Sequence, residues 1–245
     1  MSLEYRGAEE SVDREAEVAP REVYIPPPIY TIVLLLCIGV VTVAQLYAGY
    51  ELSAENTAFD KPLFVQGEYW RILTGGVVHG FLLHALRNSY ALYSFGRLME
   101  LLANRAHLAI VFLLSVIGGS FLSLYFLPDD SSVGASGGIV GLIGYLLVYA
   151  FRRRKFISAE FRKSLLINIA FILVFGFILF RIVDNFGHIG GLLTGIIYGL
   201  FQIPADEYKN PQNASIAAKV AGAAALGIYI LTAGLAVMLI VAGSR

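Results

Sequence analysis

Ser136 lies in Gly134-Ala135-Ser136-Gly137-Gly138 and opens an apolar stretch that runs to Ala150. Fifty-two residues on, His188 opens another, in Asn185-Phe186-Gly187-His188-Ile189-Gly190-Gly191. Each is a reactive side chain among small neighbours at the mouth of a membrane-length segment. Polar and ionisable groups inside a membrane are expensive and mark function by default. A serine hydroxyl is a weak nucleophile until a base takes its proton, and a histidine at matching depth is such a base. His84 and Asn88 stand four residues apart, on one helix face. With the Ser136 amide they would supply donors to an oxyanion. Asp184 precedes the His188 segment and is expected to face water, so the expectation is a Ser–His dyad without a buried aspartate.

Those residues need helices to hold them. The chain is 245 residues long, 57% hydrophobic and 15% charged. That is more apolar and less charged than a soluble domain. Seven spans are read at about 29–49, 80–101, 106–126, 134–151, 164–182, 186–203 and 219–242. The fold class expected is all-α and polytopic. Residues 1–28 form an acidic tail ending in Pro26-Pro27-Pro28, and composition predicts disorder there. Residues 204–218 read as a linker before the last span and C-terminus at 219–245. Formal net charge is zero, so no basic surface argues for nucleic acid. The single cysteine, Cys37, lies in mid-span and reads as a buried apolar residue.

Arg152, Arg153, Arg154, Lys155, Arg162 and Lys163 all fall between spans four and five, which predicts a cytoplasmic loop there. The N-terminus is then cytoplasmic, the C-terminus external, and the protein a multi-pass component of the cell membrane. Spans two, four and six all enter from the outer face. Ser136 and His188 are then each about the third residue of a span, at similar depth, with His84 and Asn88 one to two turns into span two. The loop 50–79 holds Glu68-Tyr69-Trp70-Arg71, whose tryptophan and arginine suit a membrane interface.

Blander explanations compete with this one. Gly-x-Ser-x-Gly also marks the nucleophile elbow of α/β-hydrolases, but no preceding strand is visible. Gly137, Gly141 and Gly144, and the four-residue series Gly187, Gly191, Gly195 and Gly199, fit close helix packing. Packing does not account for Ser136 and His188 together. A zinc pair of His79 and His84 lacks both the i, i+4 spacing and an intervening acid. A transporter would want charges or broken helices at mid-depth, and spans three and five have essentially none. No metal or cofactor is expected.

Taken together, these motifs resemble the rhomboid intramembrane serine proteases over about residues 29–203. The resemblance rests on Gly134-Ala135-Ser136-Gly137, on His79, His84 and Asn88, on His188 with Gly191 and Gly195, on Trp70-Arg71, and on Glu100. It implies a six-helix catalytic core, here with one added C-terminal helix. It implies Ser136 as nucleophile, His188 as base, and an oxyanion hole of His84, Asn88 and the Ser136 amide. Trp70-Arg71 would belong to a loop partly in the membrane edge, and Glu100 to a structural polar cluster. The partners implied are the lipid bilayer and transmembrane protein substrates, cut near the outer leaflet after entry past the fifth helix, under a loop at about 181–186. Inactive relatives that hold membrane clients without cutting them usually lack the serine or the histidine, and this chain has both. The chain departs from the pattern at Val140, where some members place an aromatic against the catalytic histidine. Oligomeric state is not legible.

Overall fold

A computed structural model describes residues 26–179, 182–209 and 211–244. The acidic tail expected over 1–28 lies outside the described residues up to position 25. The elements are α1 (Ile29–Ala48), α2 (Tyr50–Thr57), β1 (Phe59–Asp60), α3 (Lys61–Val65), α4 (Arg71–Thr74), α5 (Leu82–Leu102), α6 (Arg105–Phe126), β2 (Ser131–Ser132), α7 (Ser136–Arg152), α8 (Ala159–Ile178), α9 (Asn185–Gln202) and α10 (Ile216–Gly243). The seven long helices correspond to the seven expected spans. Four of them, α1, α6, α8 and α10, are long and apolar enough to cross a membrane by length and composition alone. The apolar α7 is shorter, at 17 residues.

The helix starts follow capping chemistry. Asn104, Ser158, Asp184 and Ser215 each accept a backbone N–H of the first turn through the side chain. Such caps satisfy donors that would otherwise lack partners. The Ser158 cap begins α8 five residues before the expected 164, because the first turns carry Glu160, Arg162 and Lys163, which a hydropathy reading assigns to a loop.

α9 packs into the middle of the bundle through its glycines. A Cβ on Gly191 would lie 2.1 Å from the carbonyl oxygen of Gly137 in α7. One on Gly195 would lie 1.9 Å from that of Gly141. On another side of α9, a Cβ on Gly190 would meet the Gly118 carbonyl oxygen of α6 at 2.6 Å. The four-residue glycine spacing is thus a contact stripe, as small residues at membrane helix interfaces usually are.

The first loop is not a plain connection. β1 pairs antiparallel with β2, Phe59 opposite Ser132 and Asp60 opposite Ser131, which ties this loop to the approach to Ser136. The expectation that Arg71 sits at an interface is corrected. Arg71 is 4% exposed, and its guanidinium donates to the carbonyls of Ala58 (3.0 Å) and Glu55 (3.1 Å) and pairs with Glu68 (2.6 Å). It is the internal anchor of the loop, whereas Trp70 stays exposed. Arg152 and Arg153 also do more than bias topology. Arg152 donates to the carbonyl of Ile203, and Arg153 to those of Pro204 (3.1 Å) and Lys209 (2.8 Å), fastening the segment that follows α9.

The seventh long helix docks against α1 and α6. Gly222 meets Ala106, and Tyr229 packs edge-on to Phe112. The buried Tyr229 hydroxyl donates to the Gly76 carbonyl at 3.1 Å. Tyr229→Phe leaves that buried carbonyl without its donor, a cost of about 1–3 kcal/mol. A lowered melting temperature in detergent checks this; an unchanged one contradicts the docking role of the hydroxyl.

Candidate functional site

Ser136 is the first residue of α7, and His188 the fourth of α9. Serine at the helix start, rather than the third position expected, follows from the turn before it. Gly134 has φ +123°, a conformation that L side chains rarely adopt, and its N–H donates to Gly75 O at 2.8 Å. Ala135 then leads into the helix. The Ser136 Oγ lies 2.8 Å from His188 Nε2. The glycine stripe of α9 sets that distance by holding the two helix axes close.

α5 brings the other two expected residues to the same place. A Cβ on Gly134 would lie 2.9 Å from His84 Cε1, 3.0 Å from its Nε2 and 3.4 Å from Asn88 Nδ2. His84 and Asn88 therefore face the turn that leads into Ser136. Asn88 Nδ2 is buried with no acceptor among the described residues. His79 stands behind them. Its ring meets that of His84 edge to face, with centroids 5.0 Å apart. Its backbone is clamped by Gln45 of α1, whose side chain accepts from His79 N at 3.1 Å and donates to His79 O at 2.8 Å. Gln45 is not among the expected residues, although a glutamine within an apolar span is a signal visible in the sequence.

The remaining expected residues are supports. Glu100 Oε1 accepts from both the backbone N and the hydroxyl of Thr31 at 2.7 Å, holding the start of α1. Gly134 and Gly137 shape the turn and the α7–α9 contact, and Gly191 and Gly195 the facing side. Val140 is buried, and among the described residues no aromatic ring contact involves His188.

The expectation for Asp184 is corrected. It is half-buried and its carboxylate is hydrogen-bonded within the protein. Its Oδ1 accepts from Gly187 N at 2.8 Å; its Oδ2 accepts from Ser132 Oγ at 2.6 Å and from Ser123 Oγ. The two serines come from α6 and β2, so nothing in the local sequence around Asp184 signals these bonds.

Two cavities meet here. One of about 40 Å³ is lined by Ser120, Ser132, Ser136, Asp184 and His188, with Gly75 and Gly76 on its far wall. A larger cleft of about 890 Å³ runs between α5 and α8, with His84, Arg87, Phe175, Leu179 and Ile182 on its walls. This cleft lies beside the fifth long helix; residue 181 of the loop expected at about 181–186 lies outside the described residues.

Comparison with known proteins agrees with this architecture. The family model of the Rhomboid domain matches residues 66–205. The chain belongs to the rhomboid family, and it is a multi-pass membrane protein. It is 38% identical over 138 residues to Rhomboid protease GluP of Bacillus subtilis, covering 56% of this chain and 27% of that one. It is 36% identical over 163 residues to RHOMBOID-like protein 6, mitochondrial, of Arabidopsis thaliana, covering 64% and 52%. It is also 28% identical over 140 residues to Inactive rhomboid protein 1 of Rattus norvegicus, covering 57% and 16%. The matched region thus spans about a quarter to a half of the first two relatives' own length.

Proposed function

We propose that the protein is an intramembrane serine endopeptidase. The observation that carries this is the 2.8 Å approach of Ser136 Oγ to His188 Nε2 between two membrane helices. With Nε2 unprotonated, the hydroxyl donates to it, and proton transfer frees an alkoxide for attack on a scissile carbonyl. The carbonyl oxygen becomes an oxyanion, met by the Ser136 N–H, His84 and Asn88. The imidazolium returns its proton to the leaving amine, and the peptide bond breaks to give an acyl ester on Ser136. Water then attacks that ester with His188 again as base, releasing the acid fragment and restoring the serine.

The substrates under this proposal are transmembrane segments of membrane proteins, entering through the α5–α8 cleft and cut near the outer leaflet. The N-terminus is placed in the cytoplasm and the C-terminus outside, on the basic residues between α7 and α8. Trp70 suits the membrane edge. Arg71 holds the loop from within.

A fluorophosphonate probe tests the nucleophile. The wild type is expected to carry one adduct on Ser136, and Ser136→Ala none; equal labelling of the variant overturns the assignment. The oxyanion role is tested separately. Asn88→Ala is expected to lower kcat by about 10²–10³ with little change in KM, as loss of one preorganised donor does elsewhere. A purely raised KM would instead place Asn88 in substrate binding.

A further inference from the structure

We infer that Asp184 is a positioning residue for His188: a half-buried carboxylate at the α9 N-cap that holds the imidazole's helix turn and stabilises the imidazolium formed when Ser136 gives up its proton. This rests on the dyad proposed above and adds a third member to it.

Asp184 is the N-cap of α9 and His188 lies in its first turn, four residues further on. The His188 N–H donates to the Asp184 carbonyl at 3.2 Å. Both side chains line the small cavity that also holds Ser136. His188 Nδ1 is buried and has no hydrogen-bond partner among the described residues. A proton arriving on this ring creates a positive charge with no hydrogen-bond acceptor at Nδ1, and a fixed counter-charge nearby favours that charged form.

The carboxylate is itself held from three sides. Gly187 N, Ser132 Oγ and Ser123 Oγ all donate to it. Ser132 Oγ in turn accepts from Lys61 Nζ at 2.9 Å. Lys61 is fully buried. Burial pulls its ammonium below the ordinary lysine range, while Asp184, Asp130 and Asp60 act to keep it charged. A lysine from α3, a serine from β2 and a serine from α6 thus converge on one N-cap. That is more than an N-cap requires, because a lone serine or asparagine serves as well.

The charged and titratable groups around the pair are few among the described residues. Asp184 caps α9, and His84 stands on α5 with Arg87 near it. Lys61 approaches through Ser132, with Asp60 and Asp130 about it.

Asparagine and serine cap helices about as well as aspartate but carry no charge. Asp184→Asn and Asp184→Ser therefore keep the cap and remove the carboxylate; the serine hydroxyls can rotate to new partners. His188 must be neutral to act as base, so cleavage is lost as pH falls through its titration. Removing a nearby negative charge moves that limb of the pH profile to lower pH, by about one unit for a close charge. Less stabilisation of the imidazolium lowers kcat by up to about tenfold, the equivalent of that unit.

The experiment measures kcat against pH for wild type, Asp184→Asn and Asp184→Ser in proteoliposomes. It also records the His188 ring titration by NMR in a Ser136→Ala background, which needs no turnover. A limb and a ring titration both lower by about one unit are expected, with KM little changed. Unmoved values in both variants overturn the inference, whatever happens to their melting temperatures. Failure of the wild type to cleave would sink the dyad proposal instead, and the NMR titration would still decide the role of Asp184.

Discussion

Ser136→Ala is expected to release no measurable product from a transmembrane substrate, and His188→Ala to do no better. In soluble serine proteases, removing nucleophile or base costs about 10⁶ in kcat, and removing both costs little more. The two act as one unit, because neither an unactivated hydroxyl nor a lone imidazole forms the acyl ester. The same non-additivity is expected for this dyad, given the single 2.8 Å contact that joins it. The double variant should therefore match either single variant. Fragment release measured by mass spectrometry checks this. A double variant much slower than both singles would mean that the two residues work on separate steps.

Gly191→Ala is expected to have the next largest effect, although alanine is ordinarily the better helix former. The new Cβ would stand 2.1 Å from the Gly137 carbonyl oxygen, against a normal contact of about 3.5 Å. The obstacle is backbone, so α7 and α9 must separate by about 1.5 Å. Overpacking of this kind costs about 1–3 kcal/mol or more in stability. Gly137 follows Ser136 directly, so the same displacement opens the dyad. A misplacement of about 1 Å at a reacting centre costs about 10²-fold in rate. Gly227→Ala in α10, where nothing lies within 4 Å of the new Cβ, serves as the control and should leave rate and melting temperature unchanged or slightly improved. Equal behaviour of the two variants would remove the glycine stripe from the account of how the dyad is held.

These two effects differ in how far the sequence announced them. Long apolar runs made the seven helices visible, since nothing else explains so many uncharged residues in a row. The glycine stripe was visible for the same reason, as a fixed four-residue period. The segment 50–79 was not visible as structure. Its helices α2, α3 and α4 have 8, 5 and 4 residues, too short to show a period, and they depend on Arg71 and Thr74 reaching carbonyls well back in the chain. Arg71 consequently looked like an interfacial residue when it is an internal anchor.

The candidate site divides along the same line. Ser136, His84, Asn88 and His188 stood out because each is polar in an apolar setting, and the structure brings all four to the N-terminal ends of α5, α7 and α9. Asp184 did not stand out, because it borders a polar loop, where an exposed carboxylate is unremarkable. Its hydroxyl partners, Ser123 and Ser132, are separated from it by 61 and 52 residues of chain, and Lys61 reaches it only through Ser132. Tyr229 was equally silent, one aromatic among many in an apolar helix, until its hydroxyl was seen on Gly76.

The proposal that the protein cuts rather than only holds its clients is tested most directly by reconstitution. The purified chain is placed in liposomes with a fluorescently labelled transmembrane helix bearing small residues near its outer end. Co-purification reports binding, and mass spectrometry reports products. The predicted result is two new fragments whose masses sum to the substrate plus one water, formed by the wild type and absent with Ser136→Ala. Stable binding of the helix by the wild type with no fragment in any lipid composition would contradict it, and would make the chain a client-binding member of the rhomboid family.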